Sequence, residues 1–477
     1  MNTYMKNYWS LYLDFIKDFE SLKYKGFSLS YLIHLPSLIR NNKNLWESLS
    51  NEEFSANFKN QVKNQKQVQS VFNKYVRFHK KRPLVKNKNG KVVINYDTIL
   101  RFPKKTYQEH FKRSKTMIVM AGVKNAKKKT VHRVAKNVHN LPVKYLSDYP
   151  INTRKAIMQV QSRARAIIKS HKGHHLYQDK MFQALLNKKI METINRIDQS
   201  ILFLEEVSTS CLILSSTHSY IARILALCAA EKGIPTICMQ HGIVGNEFGY
   251  IPKIATVDAV YGDFERDWFL QRGAPEGSVE VIGHPRFDQA FGFPNISRSK
   301  LYKQLGLDKS KKTIMIVVRG NRNMDKYRLL IKTICQKLDV NILIKDFPGS
   351  SPHPLTSEFP TAYSTQSFDL YDLLPHVDCV VSYASTVGLE AMLANKPVFI
   401  LYTNIPSYSG YYNNLKDLVQ SNPQTLGEQV IRYFHDPDCR GYVDLTRQNF
   451  LKYAYPDSEL SGVRLRKLIN RLINQPN

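Results

Sequence analysis

Between residues 211 and 401 the chain alternates short apolar runs with segments of helical pattern, and that alternation confines it to parallel α/β architectures. Residues 211–215 (CLILS) read as a buried strand. Ser216, Thr217 and Ser219 then offer cap oxygens to a helix that reaches Lys232 and stops at Gly233. Further strands are expected at 234–239, 257–261 and 279–282, with a helix ending near Gly273 between the last two. A second series opens with a strand at 313–318. It continues through a strand at 340–344, a helix over 367–376, a strand at 378–381, a helix over 385–394 and a strand at 397–401. Turn residues from Phe293 to Ser299 separate the two series, with the boundary expected near 290–310. The predicted fold is therefore α/β, with two Rossmann-like lobes facing a central cleft and a basic helical extension at the N-terminus. The expected divisions are residues 1–95 for that extension, 96–295 for a first Rossmann-like lobe, and 296–477 for a second. An apolar strand at 116–122 belongs to the first lobe, and a last helix over 461–472 is placed to fold back on it.

The charge is unevenly spread. The formal net charge is +30, and residues 1–200 hold 40 of the 69 Lys and Arg but only 12 of the 39 Asp and Glu, so that part carries +28. Basic runs cover 123–140 and 154–172. Such a field attracts anionic lipid headgroups, an anionic polymer or nucleic acid. No basic strand is interleaved with aromatics for base stacking, which disfavours nucleic acid. Tyr8, Trp9, Tyr12, Phe15 and Phe19 fall near helical spacing, a face suited to core packing or to a membrane.

No run approaches the roughly 20 apolar residues that span a bilayer, and Arg223 interrupts the longest candidate, 221–230. The N-terminal residues lack the unbroken apolar core of a secretory signal. Six cysteines without a CxxC pair, three of them inside apolar runs (Cys211, Cys238, Cys379), point to buried, reduced thiols and the cytosol. No spacing suited to zinc ligands occurs.

The most informative segment is 378–401, DCVVSYASTVGLEAMLANKPVFIL. An apolar strand ends at Ser382, and small hydroxylated residues lead straight into a helix. Its free N–H groups and positive dipole end suit a diphosphate, with Ser385 and Thr386 placed to donate and Glu390 placed to reach ribose hydroxyls. The same residues also make a plain helix cap with a solvated glutamate. In the first lobe, Met239-Gln240-His241-Gly242 delivers a histidine to a strand's carboxyl end, where open α/β sheets bind ligands. That imidazole is either a structural residue or a general base. Arg286, in Gly283-His284-Pro285-Arg286-Phe287-Asp288, is a loop arginine with Asp288 as a candidate partner. Arg319-Gly320 and Lys345 end two strands of the second series.

These segments resemble the donor-site signature of the GT-B glycosyltransferase superfamily over residues 210–405. The similarity is to the branch holding CDP-glycerol glycerophosphotransferases, capsular polysaccharide transferases and non-hydrolysing UDP-sugar 2-epimerases. The resemblance implies His241 as catalytic base and Arg286 in the catalytic cleft. It implies a donor site made of Arg319, Gly320, Lys345, Ser382, Ser385, Thr386 and Glu390, with no metal and no cofactor beyond a CDP-, UDP- or CMP-linked donor substrate. Many relatives carry a histidine just after the strand that ends at Lys345. This chain reads Lys345-Asp346-Phe347-Pro348 instead, with His353-Pro354 as a candidate substitute.

The expectation is thus a glycosyl or glycerophosphoryl transferase that builds a capsule-, cell-wall- or teichoic-acid-like polymer on a lipid-linked or polymeric acceptor. It would be cytoplasmic and peripheral at the inner face of the membrane, docking through residues 1–200. A UDP-sugar 2-epimerase is the enzymatic alternative, although the first lobe is poor in acids before Glu205 and lacks the Gly-Thr-Arg-Pro-Glu type of motif. A non-catalytic polyanion-binding protein on the same fold is the other.

Overall fold

The computed structural model describes residues 1–56, 58–122, 138, 140–347, 349–456 and 459–474. The basic stretch 123–140 lies outside the described residues except for 138 and 140.

Seven parallel strands form the first sheet: β1 Lys91–Asn95, β2 Thr116–Met120, β3 Val143–Tyr145, β4 Thr209–Leu214, β5 Thr236–Met239, β6 Val257–Val260 and β7 Val279–Val281. Their spatial order is β3-β2-β1-β4-β5-β6-β7. The second sheet has six parallel strands: β8 Lys312–Val317, β9 Val340–Lys345, β10 Ala362–Ser364, β11 Cys379–Ser382, β12 Val398–Leu401 and β13 Val419–Gln420, ordered β10-β9-β8-β11-β12-β13. Each sheet thus winds outward from its first strand, reverses, and resumes at its fourth. The crevice outside that reversal, β1/β4 in one lobe and β8/β11 in the other, is where doubly wound sheets bind ligands. Helices cover both faces, so every residue of β4 and of β9 is buried and the strands read as continuous apolar runs.

The sequence pattern marks no strand at 91–95, yet this segment is central to the first sheet, with Ile94 opposite Ile213. It opens on Lys91 in a Lys- and Asn-rich stretch, so only three apolar residues announce it. Helix α1 (Thr3–Asp18) is buried almost all round. Tyr8, Trp9, Tyr12 and Phe15 share one core with Phe72, with Leu212 and Leu214 of β4, and with Leu225. The aromatic face at 8–19 therefore packs inside the protein.

The terminal helix α2 (Ser461–Asn474) returns to the first lobe. Leu465, Leu468 and Leu472 pack on Ile94, Ile118 and Ile213. Asp288 accepts from the Ser461 and Gly462 amides at the start of this helix, both at 2.8 Å. At Gly283 (φ +71) a Cβ would collide with Ser461 and Tyr455, so only glycine admits this crossing. All six cysteines are free.

Candidate active site

His241 leaves the end of β5 on a loop held from both sides. Gln240 Nε2 donates to the Gly242 carbonyl at 2.7 Å and to Glu265 at 2.9 Å, while its Oε1 accepts from the Tyr261 amide at 2.9 Å. The Tyr250 hydroxyl donates to the carbonyls of Gly242 and Ile243, and its ring stacks on His241 with centroids 5.0 Å apart. From beneath, Trp9 Nε1 of α1 donates to Glu247 at 2.6 Å, and Glu247 also pairs with Arg272. Among the described residues His241 has no hydrogen-bond partner, which leaves its ring nitrogens available. Burial lowers its pKa to about 4, with the positive charges of Arg101 and Arg286 acting in the same direction. It is therefore a neutral imidazole at physiological pH.

In the second lobe, helix α3 (Thr386–Leu393) begins at the end of β11, with Ser385 as its N-cap. Ser385 Oγ accepts from the Val387 amide at 3.3 Å and lies 3.0 Å from Ser382 Oγ. Ser382 is fully buried and donates to the Tyr383 carbonyl, so it serves the turn itself. Tyr412, far along the chain, donates to the Ser385 carbonyl at 2.5 Å and accepts from the Leu389 amide at 3.0 Å. Thr386 is half-buried with no hydroxyl partner among the described residues, which makes it the donor left for a ligand at this helix end.

Arg319 is exposed at the end of β8. The adjoining Gly320 (φ +51) donates its amide to Asp346 at 3.1 Å, and its carbonyl accepts from His353 Nε2 at 3.0 Å. His353 is thus a buried brace for the Arg319–Gly320 turn. Lys345 belongs to the outer half of the sheet, where its ammonium donates to the Phe368 carbonyl at 2.6 Å and burial lowers its pKa.

The two lobes meet at this site. Arg286 and Glu390, each read from the sequence as a separate ligand contact, form an ion pair at 3.2 Å, and the Tyr371 hydroxyl donates to the same Glu390 oxygen at 2.8 Å. Burial works against the Arg286 charge, but Glu390 opposite holds its pKa above the ordinary value. Asp288, the other partner considered for Arg286, is occupied at α2. Ile243, two residues past His241, packs in the core of the second lobe, and Gly245 accepts from the Ser409 amide at 2.9 Å. The loop that carries His241 and the helix that carries Glu390 are thus both tied to the boundary between the lobes, while the cavity that His241 itself lines is walled by first-lobe residues such as Ser216, His218, Gln240 and Tyr250.

Sequence reasoning missed Arg101, Tyr371 and Tyr412. Tyr371 and Tyr412 reach the site from sequence-distant segments with no motif around them. Arg101 sits in the loop after β1, a strand the pattern did not announce.

Two doubly wound parallel sheets carried by one chain define a two-lobed α/β protein of GT-B-like fold. No family model matches the chain, and no curated protein does. Solved structures do share its fold. One is a glycosyltransferase from Rickettsia africae, 11% identical, with a TM-score of 0.51 over 82% of this chain and 100% of that one. Another is the UDP-GlcNAc 2-epimerase from Neisseria meningitidis bound to UDP-GlcNAc, 12% identical, TM-score 0.51, covering 81% and 99%. MnaA of S. aureus, solved with UDP, is 13% identical with a TM-score of 0.51 over 81% and 97%. At these identities the likeness establishes the architecture.

Proposed function

We propose that the protein transfers a glycosyl or glycerophosphoryl unit from a CDP-, UDP- or CMP-linked donor to a lipid-linked or polymeric acceptor during surface-polymer synthesis. One observation supports this reading: an unpartnered, neutral His241 stands at the end of β5 within reach of the charge of Arg286, and Arg286 pairs with Glu390 of α3 in the other lobe. His241 takes the proton from an acceptor hydroxyl as that oxygen attacks the donor. The bond to the nucleotide phosphate breaks, and the charge left on it is stabilised by Arg319 and Thr386 at the helix end. Arg286 and Glu390 then act first as the join between lobes, and Lys345 and Ser382 as supports.

The long basic helix Arg154–Ser170 has no acidic residue and exposes Arg154, Lys155, Arg163, Arg165 and Lys169, a surface that fits an anionic membrane or polymer at the cytoplasmic face. Among the described residues no helix is long and apolar enough to cross a membrane. The test is turnover of a nucleotide-donor panel with a membrane or polymer acceptor, in wild type and His241→Ala. Near-normal rates in the variant, with folding intact, remove the proposed base. Conversion of UDP-N-acetylglucosamine without acceptor would instead establish the epimerase reading, and binding of no nucleotide would leave a polyanion-binding protein.

A further inference from the structure

The cavity that His241 lines has a volume of about 20 Å3, and Thr217, His218, Gly249 and Tyr250 are among its walls. A water needs roughly 10–15 Å3 of such space and several polar partners, so the cavity suits one water and no substrate group. Tyr250 stacks on His241 and fixes the plane of its ring, but stacking does not decide which ring nitrogen carries the proton. At Gly249 an added Cβ would stand 3.8 Å from His241 Nε2 and 3.9 Å from Cε1, so this end of the ring is turned toward the cavity wall and Nδ1 is farther away. His218 enters the same cavity from the loop after β4, where Ser216 Oγ accepts from its amide at 3.1 Å. Arg223, the residue that interrupts the longest apolar run, pins this loop. Its Nε donates to the Thr217 carbonyl at 2.7 Å, and its Nη1 donates to the Tyr12 hydroxyl at 2.8 Å and the Tyr31 carbonyl at 3.1 Å. The guanidinium is fully buried and makes no ion pair among the described residues, so its positive field is uncompensated beside His218. The His34 ring packs edge-on against His218, with centroids 5.5 Å apart. Neither ring nitrogen of His218 has a hydrogen-bond partner among the described residues. Burial pushes its pKa well below the ordinary value, with His34, Arg223 and His241 acting in the same direction against a smaller effect of the Tyr250 backbone. The ring is therefore neutral, and one of its nitrogens keeps a lone pair that can accept a hydrogen bond.

We propose that His218 is a positioning residue for His241: a water in their shared cavity accepts from His241 Nε2–H and donates to a ring nitrogen of His218. This selects the tautomer whose Nδ1 lone pair is free for the acceptor hydroxyl, the task that a third group performs for a catalytic base in general. It rests on the transferase reading, in which His241 is that base. When the acceptor O–H bond breaks, its proton goes to Nδ1 and its electron pair stays on the attacking oxygen. The Nε2 proton remains in place, and the imidazolium donates to the water more strongly than the neutral ring did. His218 itself gains and loses no proton.

The experiment joins NMR of the full chain carrying 15N-labelled histidine, with His241→Gln to assign the signal, to transfer kinetics over the nucleotide-donor panel. The proteins are wild type, His218→Phe, His218→Asn and His218→Gln. In wild type the His241 proton is expected on Nε2. His218→Phe keeps a flat ring but no acceptor, so it is expected to show mixed tautomers and to lose about tenfold or more in kcat at unchanged donor KM. Asparagine and glutamine each offer a carbonyl near the place of one ring nitrogen, and one of them is expected to restore most of the rate and the single tautomer. A proton on Nδ1 in wild type would overturn the assignment even if no variant folds. Wild-type kcat in His218→Phe would overturn it too, as would equal losses in all three variants, which would mark His218 as packing alone. Each of these leaves wild-type turnover, and so the transferase reading, standing. A wild type that turns over no donor removes that reading and this role for His218 with it.

Discussion

Arg286 Nε and Glu390 Oε1 lie 3.2 Å apart across the boundary between the lobes, with both side chains less than one-tenth exposed. The pair joins the segment that follows the first sheet to α3 of the second lobe. Arg286 Nε and Nη2 are both buried and neither has a hydrogen-bond partner among the described residues, so the contact with Glu390 is an ion pair without hydrogen-bond geometry.

Removing one member leaves the other as an uncompensated buried charge. Glu390→Ala is expected to destabilise the protein by about 3 kcal/mol. The double variant Arg286→Met/Glu390→Leu is expected to lose clearly less than the sum of the single variants Arg286→Met and Glu390→Leu. Urea unfolding of the four proteins measures the coupling, and strict additivity would show that the pair contributes nothing as a pair.

Lys345 separates a structural from a ligand-binding lysine. Its ammonium holds the Phe368 carbonyl, so Lys345→Met is expected to cost about 2 kcal/mol of stability while leaving nucleotide affinity unchanged. Calorimetry with the best nucleotide decides it. A large drop in affinity at unaltered stability would return Lys345 to the phosphate site.

The acid limb of the activity profile reports the base. His241 must be neutral to accept a proton, and its pKa is lowered to about 4, so kcat/KM is expected to rise with pH through roughly 4 to 5 and to be level by about pH 6. An unperturbed imidazole would place that limb near 6.5. Arg286→Gln removes one of the charges that depress this pKa and is expected to move the limb upward. A wild-type limb at 6.5, unmoved by the substitution, would argue that His241 is not the titrating group.

Trp9 tests whether the N-terminal helix supports the site. Trp9→Phe keeps an aromatic ring in the core and removes the N–H that holds Glu247 under the His241 loop. A loss of about 1 to 2 kcal/mol is expected, together with a lowered kcat. Stability lost without any change in turnover would confine Trp9 to packing.

Most of the architecture could be read because its signals are local. A run such as Ile342-Leu343-Ile344 is apolar wherever it sits, Gly233 ends its helix through its own backbone freedom, and Ser385 caps its helix from the adjacent position. The segment at 91–95 escaped because a five-residue central strand opening on lysine carries too little apolar pattern. The site residues were only half legible. His241, Arg319, Ser385 and Thr386 sit at strand ends or a helix start, positions that pattern alone specifies. What Arg286, Glu390, Lys345, Ser382 and His353 do there depends on partners elsewhere.

The sequence by itself determined two wound sheets, their order along the chain, and which loops carry polar groups, since these follow from hydrophobic period, caps and turn residues over spans of a few residues. Only the tertiary structure decided that Arg286 meets Glu390, that Lys345 meets Phe368, and that α1 lies in the core beneath His241. A side chain's partner is a matter of distance in space. That distance is set by how whole layers pack, not by the residues beside it in the chain.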